Sequence, residues 1–303
     1  MTSKPLLQTA ESPPEVVEEA PTEHPHPPHP WDPAAAAILL MVHLGCLLAP
    51  FTFSWSGLGV CILLYWLTAM GVTLGYHRLL THRSFKTFRP LEYFITFWAL
   101  QACQGGPATW AAVHRLHHKH SDEEGDPHGA DVGFWWSHLG WMLVRPPCAT
   151  DPSIKSRMAP DLLKDPVYRF ADKYYLALVI LFGVFLLSVG GLSWLVYGMF
   201  LRLTLVYHAT WLVNSASHKY GYRSYPTNDL STNCWWVALV SFGEGWHNNH
   251  HAFPHSARHG LRWWEFDATY AAILLMERVG LAWNVRRPKP GVTAAPSIGE
   301  PTG

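Results

Sequence analysis

The chain has 303 residues, of which 49% are hydrophobic and only 15% are charged. A soluble domain carries about 25% charged residues, so this composition argues against an ordinary soluble protein. The 22 basic and 22 acidic residues cancel, which gives no sign of nucleic-acid binding. The 16 tryptophans favour a membrane protein, because tryptophan concentrates at membrane–water interfaces.

The two ends of the chain are predicted to lie outside the folded domain. Residues 1–30 are rich in Pro, Glu and His and contain no apolar run, so we expect a disordered tail. They also lack the basic and apolar regions of a cleaved signal peptide. Residues 286–303 are expected to form a flexible C-terminal tail, which leaves residues 31–285 as one membrane domain.

Four apolar stretches are candidates for membrane-spanning helices, which need about 20 residues. They cover approximately residues 34–53, 57–76, 174–190 and 192–213. Only a few residues join the first to the second and the third to the fourth, so each pair is predicted to form a helical hairpin. The fold class is therefore all-α integral membrane, with four transmembrane helices.

Shorter apolar segments and the charge distribution complete the predicted topology. Leu91–Cys103, Gly133–Val144 and Trp263–Met276 are expected to be interfacial or buried helices. Twelve Lys and Arg residues lie between the second and third spans and eight follow the fourth, whereas the hairpin turns hold none. The positive-inside rule then places both long segments and the N-terminus in the cytoplasm.

The cysteines form no recognisable metal-binding or disulfide pattern. The five are Cys46, Cys61, Cys103, Cys148 and Cys234. None belongs to a CxxC pair, so we expect reduced core residues.

The chain has 19 histidines, nearly as many as its 22 Lys and Arg residues. Many of the histidines lie in clusters. The first cluster is the pair His77 and His82, at the end of the second apolar stretch. A spacing of five does not place both on one face of an α-helix. Both reach one site only if the helix ends or unwinds between them.

Two further clusters share the spacing i, i+3, i+4, and they comprise His114, His117 and His118 and then His247, His250 and His251. Residues at this spacing lie on one helix face, and a divalent cation is a direct partner for three imidazoles there. A single triad is also compatible with a soluble face or an interfacial patch. Two triads and a histidine pair at a membrane boundary predict a metal centre, with the triads as facing halves.

A weaker element and several isolated histidines remain. Asn214 and His218 are four residues apart at the end of the fourth stretch, so they share a helix face. His43 is expected to be a packed or hydrogen-bonded core residue, and His208 is a candidate support for a ligand. Five further histidines are predicted to be surface or supporting groups, namely His120, His128, His138, His255 and His259. The three in the N-terminal tail, His24, His26 and His29, are expected to be incidental.

The number of clustered imidazoles bears on the metal. Nine exceed the four ligands of a structural zinc site and suit two ions. A haem would use only two of them, and no cysteine is placed to hold an iron–sulfur cluster. Paired iron fits best, although imidazole also binds zinc, so ligand type leaves zinc open.

The order HxxxxH, HxxHH, NxxxH, HxxHH resembles the membrane fatty acid desaturases, particularly the stearoyl-type Δ9 branch, over roughly residues 31–283. The flanking sequences Gly-Tyr-His77-Arg, Asp126-Pro-His and Gly-Glu244-Gly-Trp support the resemblance. The last cluster is most similar to that of bacterial and plant acyl-lipid desaturases. The resemblance implies a mushroom-like fold with a cytoplasmic helical cap and a closed, bent tunnel for the acyl chain.

The resemblance also implies a di-iron centre with nine histidine ligands and an asparagine that binds through a water. Carried over onto this sequence they are His77, His82, His114, His117, His118, His218, His247, His250, His251 and Asn214. Trp110 matches a tunnel or gate residue. The acyl-CoA desaturases carry Arg-Asp where this chain has Ala112 and Val113. This departure favours acyl-lipid over acyl-CoA as the substrate.

The implied reaction uses O2 and two electrons to introduce a cis double bond, at Δ9, into a saturated acyl chain. The candidate groups that orient the imidazoles are Asp126, Asp131, Asp229 and Glu244. A separate ferredoxin or small haem cytochrome, with its reductase, would supply the electrons. The expected location is the bacterial inner membrane, with an endoplasmic reticulum-type membrane as the alternative.

Two other functions stay open from the sequence. The nearer one is a related di-iron hydroxylase, or a desaturase of other regiochemistry, because the same site serves both. The remote one is a metal transporter or a haem-bearing membrane protein. A transporter would place ionisable groups near the middle of its spans, whereas these histidine clusters lie outside the spans or at one end.

Overall fold

The computed structural model describes residues 30–288, so the predicted N-terminal tail, except its last residue, and most of the predicted C-terminal tail lie outside the described residues. The described chain is mostly helical. Its α-helices are α1 Pro33–Cys46, α2 Trp55–Met70, α3 Arg89–Leu100, α4 Pro107–His120, α5 Phe134–His138, α6 Pro147–Thr150, α7 Pro152–Met158, α8 Pro160–Leu163, α9 Pro166–Leu195, α10 Arg202–Ser215, α11 Trp235–Val240, α12 His247–Ala252 and α13 Ala268–Arg278. The other helical stretches are the π-helices Gly71–Thr81 and Val196–Leu201 and the 3₁₀ helices Ala49–Phe51, Gly140–Leu143 and Ala216–His218.

Between residues 30 and 288, three helical stretches are long and apolar enough to cross a membrane, and they are Pro33–Phe51, Trp55–Thr81 and Pro166–His218. The first two correspond to the first two predicted spans. The third has 53 residues and contains both the third and the fourth predicted spans. Its backbone leaves helical geometry at Gly191, with φ 64° and ψ −160°. Glycine tolerates this positive φ, and the position lies between the two predicted spans.

The second span ends in a π-helix rather than unwinding, which differs from our expectation for the first histidine pair. The N–H of His82 donates to the carbonyl oxygen of His77 at 3.0 Å. The hydroxyl of Thr81 likewise donates to the carbonyl oxygen of Tyr76 at 2.7 Å. Backbone bonds from an N–H to the carbonyl oxygen five residues earlier define the π-helix, and the Thr81 side-chain bond spans the same interval. This wider turn brings residues five apart onto one face, so His77 and His82 point the same way.

Two α-helices that carry site residues begin where the sequence supplies a cap. Asp32 accepts hydrogen bonds from the N–H groups of Ala34 and Ala35 at 3.1 and 3.0 Å. Asp165 caps α9 in the same way. A proline follows each aspartate, and proline suits the first helical position because the N–H there has no partner within the helix.

The remaining helices pack around the π-helical end of the second span. α3, α4 and α13 contact this π-helix, and α4 also contacts α7 and α9. The shared core includes Tyr76, Leu100, Ala111, Tyr168 and Ile273, all nearly fully buried. This packing places the first histidine cluster beside the second, which α4 carries.

A two-stranded antiparallel sheet joins distant parts of the chain behind the first cluster. Strand β1, Lys86–Thr87, pairs with strand β2, Ala282–Trp283. Next to the sheet, the N–H of Arg286 donates to the carbonyl oxygen of Ser84, and the N–H of Ala257 donates to that of Arg286, both at 2.8 Å. These bonds hold the loop after the third cluster against the residues that follow the first.

Candidate metal centre

The structure brings the nine histidines predicted as ligands into two groups. The first, the five-histidine group, consists of His77, His82, His114, His118 and His250. The second, the four-histidine group, consists of His117, His218, His247 and His251. Within each group the facing ring nitrogens all lie within 4.8 Å of one another, so each group can hold a metal ion.

In the five-histidine group the Nε2 atoms have the spacing of ligands to one ion. Nε2 of His250 lies 3.1 Å from Nε2 of His77 and 2.9 Å from Nε2 of His118. Nε2 of His114 lies 3.1 Å from the same atom of His82 and of His118. Two nitrogens bound at right angles, each about 2.1 Å from an ion, are about 3.0 Å apart. The five rings therefore fit around one cation.

Each HxxHH cluster supplies histidines to both groups. On α4, His117 belongs to the four-histidine group, whereas its neighbour His118 belongs to the five-histidine group. On α12, His250 belongs to the five-histidine group and His251 to the four-histidine group. Successive residues of a helix point about 100° apart, so adjacent histidines face different sites. The rings of the two triads face each other, as in the pair His114–His250, and each triad is divided between the two groups.

Three rings of the four-histidine group are oriented by aspartates. Their Nδ1 atoms donate to carboxylate oxygens at 2.9, 2.8 and 2.6 Å, in the pairs His117–Asp126, His218–Asp122 and His251–Asp229. A proton on Nδ1 leaves the Nε2 lone pair free for a metal. Nε2 of each of these three rings is buried and has no hydrogen-bond partner within residues 30–288. Unpaired buried nitrogens are costly, so their convergence fits a bound cation.

The five-histidine group is supported by a buried cluster centred on Glu244. Oε2 of Glu244 lies 2.6 Å from Nδ1 of His77. Oε1 accepts hydrogen bonds from Nε and Nη2 of Arg78 at 3.2 and 2.9 Å. The Arg78 guanidinium also donates to Asp267 at 2.9 Å and is fully buried. This cluster fixes the orientation of His77, and the Arg78 guanidinium balances the negative charge of the Glu244 carboxylate.

Burial and charge adjust the protonation of the site. Burial lowers the pKa of His82, His114, His118, His247 and His250 well below the usual range. These rings are therefore neutral near pH 7, as metal ligands must be.

The carboxylates of the site are ionised. Burial alone would raise the pKa of Asp126, but the charges of His117 and His128 outweigh it and hold the pKa well below its usual range. The pKa of Glu244 is also lowered, because the charge of Arg78 outweighs the effect of burial. An ionised carboxylate is the form that accepts a proton-bearing Nδ1 and strengthens the imidazole as a ligand.

Two apolar cavities meet beside the metal centre. The larger, of about 360 Å³, extends between α1, α4 and α10, and the smaller, of about 60 Å³, lies between the second span and α10. Both are lined at their common wall by Trp110, His114, Thr210 and Asn214. Asn214 thus lies where the predicted ligand set meets the cavities.

A hydrogen-bonded chain of side chains marks the junction of the two cavities. Nε2 of Gln104 donates to the hydroxyl of Thr210 at 2.9 Å, and Nε1 of Trp110 donates to Oε1 of Gln104 at 3.2 Å. The Trp110 ring stacks on His114, with centroids 5.1 Å apart. Trp110 therefore connects the cavity wall to a histidine of the five-histidine group. Sequence reasoning identified Trp110 but not Gln104 or Thr210, which carry no motif of their own.

Other histidines and aspartates lie around the two groups. His259 and His128 are buried against ligands, with ring centroids 4.4 Å from His250 and 4.3 Å from His117 respectively. Asp122, which we did not predict, faces His218, whereas the predicted Asp131 has an exposed side chain. The nearby Asp-Glu-Glu-Gly-Asp126 run after the second cluster was the available signal for Asp122.

The histidines within the spans form a separate polar chain. His43 bonds through Nδ1 to the carbonyl oxygen of Leu39 at 2.7 Å and through Nε2 to His208 at 3.2 Å. The expectation of a hydrogen-bonded His43 is therefore confirmed. Nδ1 of His208 contacts Nε2 of His138 at 3.1 Å, so the ring of His208 joins α1 to α5. The five cysteines are free thiols, as expected.

Comparison with known proteins identifies the family. The fatty acid desaturase family model matches residues 53–285. The chain is 54% identical to an sn-1 stearoyl-lipid 9-desaturase of Anabaena variabilis, over 82% of this chain and 91% of that protein. It is 47% identical to an sn-2 palmitoyl-lipid 9-desaturase of Nostoc sp. (strain 36), over 80% and 86%. It is 46% identical to the acyl-CoA 5-desaturase AL21 of Anemone leveillei, over 82% and 77%.

These matches cover most of the chain, and the family model includes both HxxHH clusters. The apolar helices long enough to cross a membrane agree with a membrane-associated protein. The chain belongs to the fatty acid desaturase family, and it is an oxidoreductase that introduces a double bond into a fatty acyl chain.

Proposed function

We propose that the two histidine groups hold a pair of iron ions, one in each group, and that Asn214 completes the four-histidine group through a water. The observation that carries the proposal is the division of nine buried or partly buried histidines into two groups beside an apolar cavity. Desaturation is an oxidation, and zinc has no redox chemistry, so a redox-active ion is required. When bound, the iron pair would supply, with O2 and two electrons, the oxidising power that no side-chain acid or base has.

The chain's own residues then hold the ligands and exclude water. Asp122, Asp126, Asp229 and Glu244 keep a proton on Nδ1 of the rings they face, which leaves Nε2 free. All nine histidines are at most partly exposed, and the cavity beside them is lined largely by apolar side chains. A dry site protects a reactive centre from side reactions with water.

The two cavities together are proposed to hold the acyl chain, bent where they meet. Trp110 forms the wall at the bend, and Gln104 and Thr210 hold it in place through their hydrogen bonds. The methylene groups at the bend would lie against the wall formed by His114 and Asn214, next to the metal centre. A fixed bend selects which carbons are oxidised, and the 9-desaturases among the relatives support a Δ9 product.

The substrate is proposed to be an acyl chain esterified in a lipid. Ala112 is fully buried and Val113 lines the larger cavity, so neither position presents a charge to a CoA group. The relatives named for acyl-lipid substrates include the one that is 54% identical. A relative named for acyl-CoA is less similar, at 46% identity.

We further propose four membrane crossings and a mushroom-like shape, with the metal centre in a helical cap on the cytoplasmic side. A single helix of 53 residues would be about 80 Å long, far more than the 30 Å of a hydrocarbon core. The non-helical Gly191 supplies the turn that allows Pro166–His218 to cross twice. The cyanobacterial relatives and the charge distribution favour the inner membrane of a bacterium.

A separate protein is proposed to deliver the electrons, either a ferredoxin or a small haem cytochrome with its reductase. Exposed basic side chains of the proposed cap, including Lys86, Lys119 and Arg286, would attract an acidic donor. Adding purified ferredoxin or cytochrome to the reconstituted enzyme and comparing turnover would distinguish the two donors.

Lipid profiling and metal analysis test the proposal together. Expression in a host that lacks Δ9 unsaturated lipids should yield cis-Δ9 acyl chains in intact glycerolipids, and the purified protein should hold about two irons per chain. A hydroxylated product would indicate the sister reaction. Haem absorbance, or zinc in place of iron in active protein, would refute the di-iron proposal.

A further inference from the structure

His259 is not one of the nine predicted ligands, yet its side chain is completely buried beside the five-histidine group. Its ring centroid lies 4.4 Å from that of His250 and 5.4 Å from that of His77. Burying a polar ring lowers the free energy of folding only if its nitrogens find partners. Within residues 30–288 neither ring nitrogen of His259 has a partner in good hydrogen-bond geometry, so its close contacts with a carboxylate and a neighbouring ring indicate what it does.

The Glu244 carboxylate connects His259 to a ligand. Nδ1 of His259 lies 3.2 Å from Oε2 of Glu244, and the same oxygen lies 2.6 Å from Nδ1 of His77. Oε1 is occupied by the Arg78 guanidinium. The ring of His259 is therefore wedged against Oε2 on one side and against His250 on the other, so it touches the surroundings of two ligands at once.

The backbone leaves His259 no other place. Its N–H donates to Oδ2 of Asp267 at 2.8 Å, and its carbonyl oxygen accepts from Nδ2 of Asn249 at 2.9 Å. A Cβ added at the next residue, Gly260, would lie 1.9 Å from the carbonyl oxygen of Glu265. This turn is therefore packed tightly against the chain behind it, and the position of the ring is imposed.

We propose that His259 is a positioning residue for the metal ion of the five-histidine group. It holds the Glu244 carboxylate against His77 and sets the tilt of the His250 ring. This inference rests on the proposed function, because it requires a metal in that group. His128 is a useful contrast: its ring is 4.3 Å from that of His117, but its Nδ1 is 3.8 Å from Asp126, so it does not bridge a carboxylate and a ligand in this way.

Three variants test the proposal on purified, iron-loaded enzyme, with His259→Leu as the principal one. His259→Gln restores an N–H that can reach Glu244. His120→Leu replaces a partly exposed histidine on the last turn of α4 and serves as the matched control. The readouts are iron per chain during dialysis against a chelator and the Mössbauer spectrum of the iron that remains.

The wild type and the control should keep about two irons, and His259→Leu should release one iron at a chelator concentration about 10–100-fold lower. The iron that remains in His259→Leu should give the spectrum of the four-histidine group. His259→Gln should release iron at a chelator concentration between those of the wild type and His259→Leu. Release of both irons together would indicate a general packing role and overturn the proposal. Chelation indistinguishable from the wild type would overturn it as well.

A second comparison uses Glu244→Gln, alone and combined with His259→Leu. If His259 acts through Glu244, the double variant should release iron at nearly the same chelator concentration as Glu244→Gln alone, because residues in one network are not additive. Full additivity would contradict the proposed route. A wild-type enzyme without two irons would instead refute the proposed function, so the two failures are distinguishable.

Discussion

The five-histidine and four-histidine groups present the same kind of ligand in different electrostatic surroundings. Three of the four rings in the four-histidine group face their own aspartates, Asp122, Asp126 and Asp229. In the contacts described for the five-histidine group, one carboxylate, Glu244, faces His77, and Arg78 balances its charge. A metal ion in the four-histidine group therefore has a more negative environment than one in the five-histidine group.

This difference teaches that ligand identity and ligand environment are separate determinants of a metal site. Imidazole nitrogens decide which metals bind, whereas the groups behind them tune basicity and redox potential. One pattern, HxxHH, feeds both groups from each of two helices. The two sites therefore cannot be distinguished by motif and differ only through the carboxylates that the fold brings to them.

Removing one ligand from each group should have the largest effect. His250→Ala and His247→Ala should each lower desaturation more than about 100-fold, beyond the effect typical of a supporting residue. Each should reduce the iron content from about two to about one per chain, and the remaining irons should have different Mössbauer spectra. Identical residual spectra would show that the two groups are not separate sites.

The aspartates should set the order in which the two irons are reduced. Negative charge stabilises the more oxidised ion, so stepwise reduction should reach the iron of the four-histidine group last. Asp229→Asn should narrow the gap between the two steps and weaken iron binding about 10–100-fold. Mössbauer spectra recorded along a redox titration measure the gap between the two steps and the iron bound in each group. Asp151→Asn, at an exposed helix cap, is the control. Reduction of the four-histidine iron first would reverse our interpretation of the comparison.

A change at the bend between the cavities should have a smaller effect, because Thr210 lines the cavities but belongs to neither histidine group. Thr210→Val removes the hydroxyl that accepts from Gln104, a loss of about 1 kcal/mol. We expect a several-fold lower rate and a minor product with the double bond shifted along the chain. Gas chromatography of the cleaved products measures the shift. Thr52→Val, on an exposed turn, should leave the product unchanged, and an unaltered Thr210→Val product would remove Thr210 from the bend.

Much of the fold and ligand set follows from sequence, because apolar length and histidine spacing are local properties. The apolar stretches lie within the helices that are long enough to span, and all nine predicted histidines fall in the two groups. The division within each triad does not follow, because it depends on how α4 and α12 are rotated against each other. The π-helix that aligns His77 with His82 is not predicted either, because the spacing of the two histidines is interpreted with the repeat of an α-helix.

The supporting residues are the hardest to predict, because their roles arise from contacts between distant segments. His259 is a histidine without a motif partner, and only the fold places it against Glu244. Asp122 is 96 residues from His218, which it orients. His208 is a candidate support for a ligand by its position along α10, and the structure places its ring between His43 and His138.

The smallest expected effect concerns Asp161 on α8, which pairs with Arg115 on α4. Arg115, next to His114 on α4, donates to the carbonyl oxygens of Leu80 and Thr81 and to Asp161. Burial would raise the pKa of Asp161, but hydrogen bonds from Arg115 and Arg83 outweigh it and lower the pKa to about 2. A lowered pKa means that the contribution to stability is present above the unfolded pKa and is lost as the pH falls towards about 2. Because the carboxylate is partly exposed, we expect Asp161→Asn to lose only about 1 kcal/mol at pH 7. The melting temperatures of Asp161→Asn and wild type should therefore differ at pH 7 and converge between pH 4 and pH 2. A difference that persists at low pH would mean that packing, not charge, joins α4 to α8.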